Sequence, residues 1–454
     1  MDTPLEFLNT LFARLNNKGI KYCILRNHEE LPENIGNDVD IWVEKKDWGK
    51  FYHMVKEIAN TLNYTLNYTL NYTLNYTPRL TVKGEGDYFL SKFTDSGLQI
   101  IHLDCWAYLH WKGICFIDEN IIGKHLKWNE KGFYIPSSGI EAAINLLKDL
   151  IYHGKVKEKY KERIKEYALK DSSNFLECIQ KPFGKKTSLF ILVNAQQGNW
   201  QNLEKNYKKL RIILFLRSFL YPFSQLIKFF YYFRAQIRRF LINPHGLFIV
   251  LIGPDGAGKT TTANNLLNSE IKRLFQKKYY FHGHFPYLPE IKKIASIFKI
   301  KIGDINNSSN QDFSKPFGIL RAMIYPIYYG FNYFLGHFFV WKEKARASLI
   351  IFDRYFYDYY IQKQFINCPK WLLRLIEKLI PRPDIIIYLK NKPEVIKSRK
   401  SELRVEEIKR QNLLCEKITE RNHKRSFLIE TDSPETVLLN VQKIIIDKIK
   451  EKQK

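Results

Sequence analysis

The feature that most restricts the fold of this chain is a run of six apolar residues that leads directly into a glycine-rich loop. Residues 247–252 read LFIVLI, and residues 253–260 read GPDGAGKT, which matches the pattern G-x-x-x-x-G-K-[ST]. An unbroken apolar run predicts a parallel strand that is buried on both faces. The residues from 260 onward, TTTANNLL, predict a helix. The segment therefore predicts a strand–loop–helix unit of an α/β domain.

The residue types in this loop are those that bind the phosphates of a nucleotide. Glycines allow backbone N–H groups to converge on phosphate oxygens, and the first turn of the helix adds favourable partial charge. In this pattern the Lys259 ammonium reaches the β- and γ-phosphates, and the Thr260 hydroxyl binds Mg²⁺. The alternative is a glycine turn with a structural role only. The predicted nucleotide contacts are Gly253, Asp255, Gly256, Ala257, Gly258, Lys259, Thr260 and Thr261.

A second apolar run, residues 349–352 (LIIF), ends in the pair Asp353 and Arg354. A carboxylate at the end of a strand beside a phosphate-binding loop can bind Mg²⁺ through water or orient a nucleophile. The alternative is an ordinary ion pair between the two side chains.

A third apolar run, residues 385–389 (IIIYL), predicts another buried strand and is followed by a basic stretch. The stretch contains Arg399, Arg404 and Arg410. It either closes over a phosphoryl group during transfer or forms a solvated charged helix, and the residues alone do not decide between the two.

Three segments together resemble the thymidylate kinase family of P-loop nucleotide kinases. They are GPDGAGKTT, FDRY and PRPDIIIYLKNKPEVIKSRKSE, and the resemblance covers about residues 246–448. It implies an α/β domain with a parallel five-stranded sheet flanked by helices. It also implies ATP and Mg²⁺ as cofactors.

The resemblance assigns roles to individual residues. Lys259 matches the family's ATP position, and Asp255 matches its acidic loop residue near the acceptor. Asp353 and Arg354 match its Asp-Arg motif, in which the arginine holds the acceptor phosphate. Arg399, Arg404 and Arg410 are candidates for its lid arginines.

The acceptor side departs from the family pattern. The Arg-Glu-Pro-Gly segment that thymidylate kinases use to position the acceptor does not occur, and the corresponding residues 280–286 read YFHGHFP. We therefore expect a different phosphorylated or hydroxyl-bearing small molecule as the acceptor. His282 and His284 either contact it or have a structural role.

Near the N-terminus, two aspartates lie in a predicted strand, residues 37–43 (NDVDIWV). Residues two apart in a strand share a face, so Asp38 and Asp40 project together. Adjacent carboxylates repel unless cations neutralise them, and Mg²⁺ is a natural counter-ion. A further predicted strand, residues 98–103, ends in Asp104. Three converging aspartates can hold two metals for phosphoryl transfer; the alternative is a set of exposed strand-end residues.

This pattern resembles the nucleotidyltransferase superfamily with a polymerase-β-like core, over about residues 5–130. The resemblance implies an α+β domain with the aspartates as metal ligands. The superfamily has Gly-Ser about a dozen residues before its Asp-x-Asp pair, where it contacts the phosphates of the nucleotide. This chain has Arg26 and Asn27 there, so the resemblance by itself does not predict activity.

Composition and pattern divide the chain into three parts. We predict a nucleotidyltransferase-like domain over residues 1–135, a basic and aromatic helical connector over 136–245, and the P-loop domain over 246–454. Residues 212–233 are either a helix on a membrane surface or a linker helix packed between domains. Under the first alternative, residues 204–242 would make peripheral membrane contact. Residues 322–341 carry no formal charge, but their polar residues and glycines favour a buried or half-buried helix over a membrane span.

The charge of the chain favours anionic partners. The 72 Lys and Arg residues exceed the 46 Asp and Glu residues, which gives a formal charge of +26. Phosphates, nucleic acid and an anionic membrane surface all fit this charge, but the sequence has no nucleic-acid recognition motif. The six cysteines include no CxxC pair, which is typical of a reducing cytoplasm, and we expect a cytoplasmic location with membrane-surface association as an option.

The sequence therefore predicts an ATP- and Mg²⁺-dependent phosphotransferase fused to a nucleotidyltransferase-like module. Synthesis of bacterial surface polysaccharides is a setting in which such a fusion would make sense, by analogy only. The alternative is a non-enzymatic or regulatory NTP-binding protein that docks on membrane or nucleic acid through the basic connector. The sequence predicts no oligomeric state.

Overall fold

The structure is a computed structural model that describes residues 4–69, 85–95, 97–220, 222–242, 244–289, 291, 316–399 and 404–453. The chain divides into two compact units, Met1–Arg238 (unit 1) and Arg239–Lys454 (unit 2).

Unit 1 is built on a mixed five-stranded sheet with the strand order β1-β2-β5-β4-β3. Two further pairs of short strands, β6 with β7 and β8 with β9, lie outside this sheet. The strands are β1 (Tyr22–Ile24), β2 (Val39–Val43), β3 (Thr65–Thr69), β4 (Glu85–Thr94), β5 (Gly97–Trp106), β6 (His110–Trp111), β7 (Ile114–Cys115), β8 (Leu126–Asn129) and β9 (Phe133–Pro136).

Nine α-helices are described in unit 1. They are α1 (Pro4–Asn17), α2 (Trp48–Thr61), α3 (Glu119–Ile122), α4 (Ser138–His153), α5 (Glu158–Lys170), α6 (Ser172–Phe183), α7 (Lys185–Gln197), α8 (Trp200–Ser218) and α9 (Pro222–Ile237). A 3₁₀-helix (Lys45–Asp47) precedes α2, and a π-helical turn (Arg238–Ile242) follows α9.

The aspartates of unit 1 lie on two neighbouring parallel strands. Asp40 of β2 is directly opposite Asp104 of β5. Two sequence expectations need correction here: Asp38 precedes β2 instead of lying within it, and β5 continues past Asp104 to Trp106. The strand begins where the chain becomes buried: all five residues of β2 are buried, whereas Asp38 is half-exposed.

The helices of the predicted connector pack on the N-terminal sheet. Ile140, Ile144 and Phe175 share one buried core with Leu25 and Trp42. The cause is the apolar face of α4, because an amphipathic helix is stabilised when this face is buried against another apolar surface, here that of the sheet. Residues 136–238 therefore belong to the same compact unit as the sheet. The sequence pattern, by contrast, predicts a separate connector over residues 136–245.

Unit 2 has a parallel five-stranded sheet with helices around it, as the sequence implied. The strand order is β11-β12-β10-β13-β14, and every neighbouring pair is parallel. The strands are β10 (Leu247–Ile252), β11 (Lys278–His282), β12 (Leu349–Asp353), β13 (Ile385–Lys390) and β14 (Ser426–Glu430).

The described residues of unit 2 also form several helices. They are α10 (Lys259–Asn268), α11 (Ile319–Ala345), α12 (Asp358–Ile361), α13 (Lys370–Leu379), α14 (Pro393–Arg399), α15 (Val405–Arg421) and α16 (Pro434–Gln453), with 3₁₀-helices at Glu270–Leu274 and Lys363–Phe365.

The uncharged stretch 322–341 forms most of α11. Its buried polar residue Asn332 donates a hydrogen bond to the carbonyl of Phe285 and accepts one from the Phe285 N–H, at 3.0 Å each. Several large apolar side chains on other faces of the helix are exposed, so the helix is half-buried as expected. Among the helices that the structure describes, none is both long and apolar enough to cross a membrane.

Candidate functional site

The carboxyl ends of three strands form the edge of the sheet at which the site of unit 2 lies. β10 is the central strand, and residues 253–258 connect it to α10. Leu251 of β10 is paired with Asp353 of β12, and His282 of β11 is paired with Asp353 from the other side. Carboxyl ends of parallel strands are where open α/β sheets bind ligands, so the sheet register itself brings the loop and Asp353 together.

Two glycines of the loop have conformations that other residues rarely adopt. Gly253 has φ +151°, and a Cβ atom there would lie 2.8 Å from the carbonyl oxygen of Leu389. Gly258 has φ +94° and directly precedes the first residue of α10. The backbone can turn this tightly only because side chains are missing at these positions, and the turn leaves the N-terminus of α10 at the site.

Lys259 is held inside the loop. Its side chain is only 6% exposed, and Nζ donates hydrogen bonds to the carbonyl oxygens of Gly253 (2.8 Å) and Pro254 (3.0 Å). Nζ also lies 3.4 Å from Asp255 Oδ1. A nucleotide phosphate would have to replace these oxygens as the partners of the ammonium group.

Asp353 is buried and has one carboxylate oxygen available. Thr260 Oγ1 donates to Asp353 Oδ2 at 2.5 Å, and Tyr280 Oη donates to the same oxygen at 3.2 Å. Asp353 is 1% exposed, and its Oδ1 has no hydrogen-bond partner among the described residues. A buried carboxylate oxygen without a partner, next to a threonine hydroxyl, is a donor set that suits Mg²⁺. The residues present therefore fit the metal that the sequence implied.

Arg354 has a strained backbone conformation and a side chain that is hydrogen-bonded to Asp255. It is a non-glycine residue with φ +67°, a conformation that costs free energy and is enriched at functional sites. Its Nη2 donates to Asp255 Oδ1 at 2.7 Å. Asp255 thus lies between the cations of Arg354 and Lys259, and it orients both toward the same space.

These side chains border a cavity of about 460 Å³, a size suited to a nucleotide-sized ligand. Its walls come from the loop, the end of β12, the end of α14 and the segment after β14. They are Asp255, Gly256, Ala257, Gly258, Lys259, Thr260, Thr261, Thr262, Asn265, His282, Asp353, Arg354, Arg399, Thr431, Asp432, Ser433, Pro434 and Val437.

The structure separates the arginines of the basic stretch. Arg399 is an exposed residue at the end of α14 and borders the cavity. Arg404 lies before α15 and is not among the described residues that border the cavity. Arg410 forms an ion pair with Glu407 and donates to the carbonyl of Ile361. Of these three arginines, Arg399 is therefore the one that borders the cavity.

The two histidines also differ in position. His282 borders the cavity, and its Nδ1 lies 3.5 Å from Asp353 Oδ2. The ring of His284 packs against Tyr329 with 4.7 Å between centroids. His282 is therefore placed to contact a ligand, whereas His284 contacts a residue of α11.

In unit 1 the structure brings together the three aspartates that the sequence singled out. One oxygen atom from each of Asp38, Asp40 and Asp104 lies within 4.8 Å of the others. Two cations that sequence reasoning did not connect with them also meet here: Arg26 Nε is 2.6 Å from Asp40, and Lys148 Nζ is 2.5 Å from Asp40 and 3.1 Å from Asp104. The metal role of the aspartates stays a prediction.

Comparisons with known proteins give matches only among solved structures, at low sequence identity. No protein-family model and no curated protein matches this chain. Among solved structures, the chain is similar to thymidylate kinase from Ehrlichia chaffeensis, at 18% identity and a TM-score of 0.32, over 44% of this chain and 100% of that one. It is also similar to thymidylate kinase from Candida albicans, at 18% identity and a TM-score of 0.33, over 46% of this chain and 94% of that one.

Sequence reasoning missed the wall of the cavity that follows β14. Thr431, Asp432 and Ser433 border the cavity, and β14 is the fifth strand of the same parallel sheet. The signal was present, because polar residues directly after a strand of such a sheet reach the same edge.

Asp358 is a second residue that the sequence analysis did not identify. It begins α12, and Gln362 Nε2 donates to its carboxylate at 3.2 Å. Burial raises the pKa of Asp358 to about 6; the charges of Lys259 and Arg354 oppose this rise, and those of Asp255 and Asp353 add to it. A carboxyl with this pKa beside the phosphate-binding loop is typical of functional sites, although no sequence pattern singles it out.

Proposed function

We propose that unit 2 is an ATP- and Mg²⁺-dependent phosphotransferase that phosphorylates a small molecule bearing a phosphate or a hydroxyl group. The observation that carries this proposal is the set of side chains that border one cavity. It combines a lysine in a phosphate-binding loop, a buried aspartate oxygen that has no hydrogen-bond partner in the described part of the chain and lies beside Thr260, and an arginine held by Asp255.

The nucleotide side of the reaction depends on the loop. The N-terminus of α10 and the Lys259 ammonium would bind the β- and γ-phosphates once Lys259 exchanges the carbonyl oxygens of Gly253 and Pro254 for phosphate oxygens. Thr260 and Asp353 would hold Mg²⁺, which when bound offsets charge on the phosphate oxygens. Asp353 keeps Thr260 and Tyr280 oriented through its other oxygen.

On the acceptor side, Arg354 is the cation that would bind the acceptor. Its hydrogen bond to Asp255 fixes the guanidinium beside the loop. An acceptor oxygen attacks the γ-phosphorus, the bond between that phosphorus and the β–γ bridging oxygen breaks, and ADP leaves. Where the acceptor is a hydroxyl group, its proton is released to solvent. Arg399 and Lys259 would stabilise the charge that builds up on the transferring group.

The lack of the Arg-Glu-Pro-Gly segment supports an acceptor other than thymidylate. The segment 280–286 contributes Tyr280 and His282 next to Asp353 instead. Phenol and imidazole groups can donate hydrogen bonds to hydroxyl or phosphate oxygens, so sugars and sugar phosphates are reasonable candidates alongside nucleoside monophosphates. The nucleotidyltransferase likeness of unit 1 and the polysaccharide setting remain hypotheses.

The test is ADP formation by the purified full-length chain with Mg²⁺ and ATP. The acceptor panel contains thymidylate, other nucleoside monophosphates, sugars and sugar phosphates. We expect acceptor-dependent ADP formation that falls by about a hundredfold or more in Lys259→Ala and in Asp353→Asn, because each removes a group that stabilises transferring charge. Lys417→Ala, an exposed position on α15, serves as a matched lysine control and should leave the rate unchanged.

A second function, regulatory NTP binding without transfer, makes a different prediction. It gives slow ATP hydrolysis that no acceptor stimulates, with ATP binding still lost in Lys259→Ala. Full acceptor-dependent turnover in a folded Lys259→Ala variant would remove the kinase assignment altogether.

A further inference from the structure

The carboxylate cluster of unit 1 already contains its own cations. Asp40 is 1% exposed, and each of its two oxygens has a cationic nitrogen close to it. Arg26 Nε lies 2.6 Å from Oδ2, and Lys148 Nζ lies 2.5 Å from Oδ1. Lys148 also bridges to Asp104 Oδ2 at 3.1 Å, so one ammonium group joins the two parallel strands.

The electrostatics of the cluster agree with this geometry. Burial would raise the pKa of Asp40, but the charges of Lys148 and Arg26 outweigh it and hold the pKa well below its usual value. Burial would lower the pKa of Lys148, but Asp104 and Asp40 outweigh it and the pKa is raised. The side chains of Arg26 and Lys148 are only 8% and 14% exposed, so both cations are largely shielded from solvent beside Asp40.

A divalent metal at this cluster would have to displace Lys148. Mg²⁺ binds carboxylate oxygens at about 2.1 Å, and the ammonium group already lies 2.5 Å from Asp40 Oδ1. Lys148 is held there by α4, whose apolar neighbours Ile144 and Leu147 are fully buried, and its ammonium also lies 4.8 Å from the Trp106 ring centroid. The Lys148 side chain is only 14% exposed, so displacing it would separate a largely buried cation from both of its carboxylates, which is unfavourable.

We propose that Lys148 and Arg26 are permanent counter-ions that replace metal ions at the Asp38–Asp40–Asp104 cluster. The donor set does not fit the metal that the resemblance to nucleotidyltransferases implied, because the two cations already offset two of its three negative charges and occupy both oxygens of Asp40. The cluster then ties α4 to β2 and β5 as a structural ion network, and unit 1 carries no metal-dependent transfer at these aspartates.

Removing the lysine charge tests this proposal through a gain of metal binding. Mn²⁺ binding to the full-length chain is measured by electron paramagnetic resonance without nucleotide, in an Asp353→Asn background that removes the metal ligand of unit 2. We expect no site in this background and one additional Mn²⁺ per chain in Lys148→Met. That extra site should disappear again when Asp40→Asn is added.

Two results would overturn the proposal. One is Mn²⁺ binding in the Asp353→Asn background that is lost on adding Asp40→Asn; the other is a folded Lys148→Met variant, checked by circular dichroism, that gains no site. Should Lys148→Met fail to fold, the comparison with and without Asp40→Asn decides alone: Asp40-dependent binding refutes the proposal, and its absence supports it. None of these outcomes depends on whether unit 2 is a kinase.

A separate observation concerns the surface of α8 and α9, which we call the α8–α9 apolar face. Leu216, Phe219, Leu220, Leu226, Phe230 and Phe233 define it, and each is between 57% and 64% exposed. Residues 226, 230 and 233 follow one face of α9, residue 216 lies in the last turn of α8, and residues 219 and 220 lie in the turn directly after α8. Soluble proteins rarely expose so many large apolar side chains in one short segment.

The charge of this segment identifies the kind of partner. Residues 205–242 contain nine Lys and Arg residues and no Asp or Glu. A second copy of the same face would be repelled by this charge, and nucleic acid would leave the aliphatic side chains without contacts. An anionic bilayer uses both features, because the cations meet headgroups while Leu and Phe enter the acyl boundary.

One side of α9 packs against other residues of unit 1. Lys228 Nζ contacts Cys115 Sγ at 3.1 Å and lies 5.0 Å from the ring centroid of Tyr108. A Cβ on Gly113 would lie 3.3 Å from the Lys228 carbonyl oxygen, so the two backbones are close. The helix therefore has one side anchored to the protein and the opposite side exposed, as a helix lying in the plane of a membrane requires.

We infer that the α8–α9 apolar face binds an anionic lipid surface without crossing it. Flotation with vesicles of phosphatidylcholine, with and without phosphatidylglycerol, tests this inference on the full-length chain. We expect binding to the anionic vesicles, weakened by salt and reduced about tenfold or more in Leu226→Ser/Phe230→Ser/Phe233→Ser. The matched control, Trp128→Ser/Leu169→Ser/Ile366→Ser, removes three comparably exposed apolar side chains elsewhere and should bind as the wild type does.

Lack of vesicle binding by the wild type, or equal binding by the two triple variants, would reject the inference. So would a dimer that is lost in the α8–α9 variant while vesicles are ignored, or selective binding of duplex DNA in place of vesicles. Each of these results assigns the face to another occupant.

Discussion

At the scale of single residues, the site depends on backbone positions that tolerate no side chain. Gly253 approaches the carbonyl of Leu389, and Gly258 begins the turn into α10. The sequence pattern names these glycines, but only the structure shows that Gly253 is required by close packing against β13 and Gly258 by its conformation. The two glycines therefore act through different physical causes.

We expect Gly253→Ala to lower the free energy of unfolding by about 2–3 kcal/mol and to weaken ATP binding. The added Cβ would lie 2.8 Å from the Leu389 carbonyl oxygen, so the loop or β13 must move, and the φ of +151° adds strain. Urea unfolding and ATP titration measure the two effects. Unchanged stability and unchanged ATP affinity would show that the loop adapts at no cost.

Asp358 gives a prediction about pH with a definite sign. Its folded-state pKa is raised from 3.8 to about 6, so the folded protein keeps a proton that the unfolded chain releases between these values. The contribution of Asp358 to the free energy of unfolding is therefore lost as the pH rises from about 4 through about 6. Asp358→Asn should raise the unfolding free energy at pH 7.5 by up to about 2–3 kcal/mol and change it little at pH 4. Equal effects of the substitution at both pH values would contradict this assignment.

At the scale of elements, α11 shows why a helix without formal charge in its middle need not enter a membrane. Its buried face carries small and polar residues: a Cβ on Gly336 would lie 2.1 Å from the Phe285 ring, and Asn332 binds the backbone of Phe285. The face is shaped for contact with specific protein groups. The hydropathy of the segment shows only that the helix is apolar on average. It does not show that its buried face fits Phe285.

Gly336→Ala should therefore destabilise unit 2 by about 2–3 kcal/mol. Phe285 is fully buried, so its ring cannot move aside without disturbing a packed core. Leu335→Ala, at the neighbouring exposed position, should cost less than about 0.5 kcal/mol. Thermal unfolding of both variants makes the comparison, and similar costs at the two positions would show that the helix face is loosely packed.

At the scale of the whole molecule, buried carboxylates join elements that are distant in sequence. Asp384 accepts hydrogen bonds from Lys344 of α11 at 2.8 Å and from the Phe248 N–H of β10 at 2.9 Å, and it lies 3.2 Å from Lys452 of α16. Burial would raise the pKa of Asp384, but Lys452 and Lys344 outweigh it and the pKa is lowered. In unit 1, Asp40 plays the same part between Arg26 and Lys148.

These lowered pKa values predict acid sensitivity. A carboxyl whose folded-state pKa is depressed contributes stability above its unfolded pKa near 4, and this contribution is lost as the pH falls through the folded value. The urea midpoint should therefore drop between pH 5 and pH 3. Asp384→Asn should cost about 3 kcal/mol at pH 7, since it removes the negative charge that faces Lys344 and Lys452, and should flatten the acid dependence of unit 2. A steep acid transition that Asp384→Asn leaves unchanged would assign it to other groups.

The elements closest to the proposed kinase chemistry were predictable because their signals are local. A six-residue apolar run, a glycine loop and a helix start follow one another in the chain, and each is encoded by its own residues. The order of β11 and β12 beside β10 is not local, and neither is the contribution of Thr431 to the cavity. For the same reason the sequence does not distinguish Arg404 from Arg399, although of these two described residues Arg399 alone borders the cavity.

The sequence by itself determined the strand, loop and helix that can bind phosphates, and it determined that Asp353 follows a buried strand. Local backbone preferences and hydrophobic periodicity are sufficient for such statements. The tertiary structure alone decided what each charged group meets. Lys148 reaches Asp40 across 108 residues, and Arg354 reaches Asp255 across 99. Such meetings depend on how the segments pack, because the free energy of a buried charge is set by its neighbours in space and not by its neighbours in the chain.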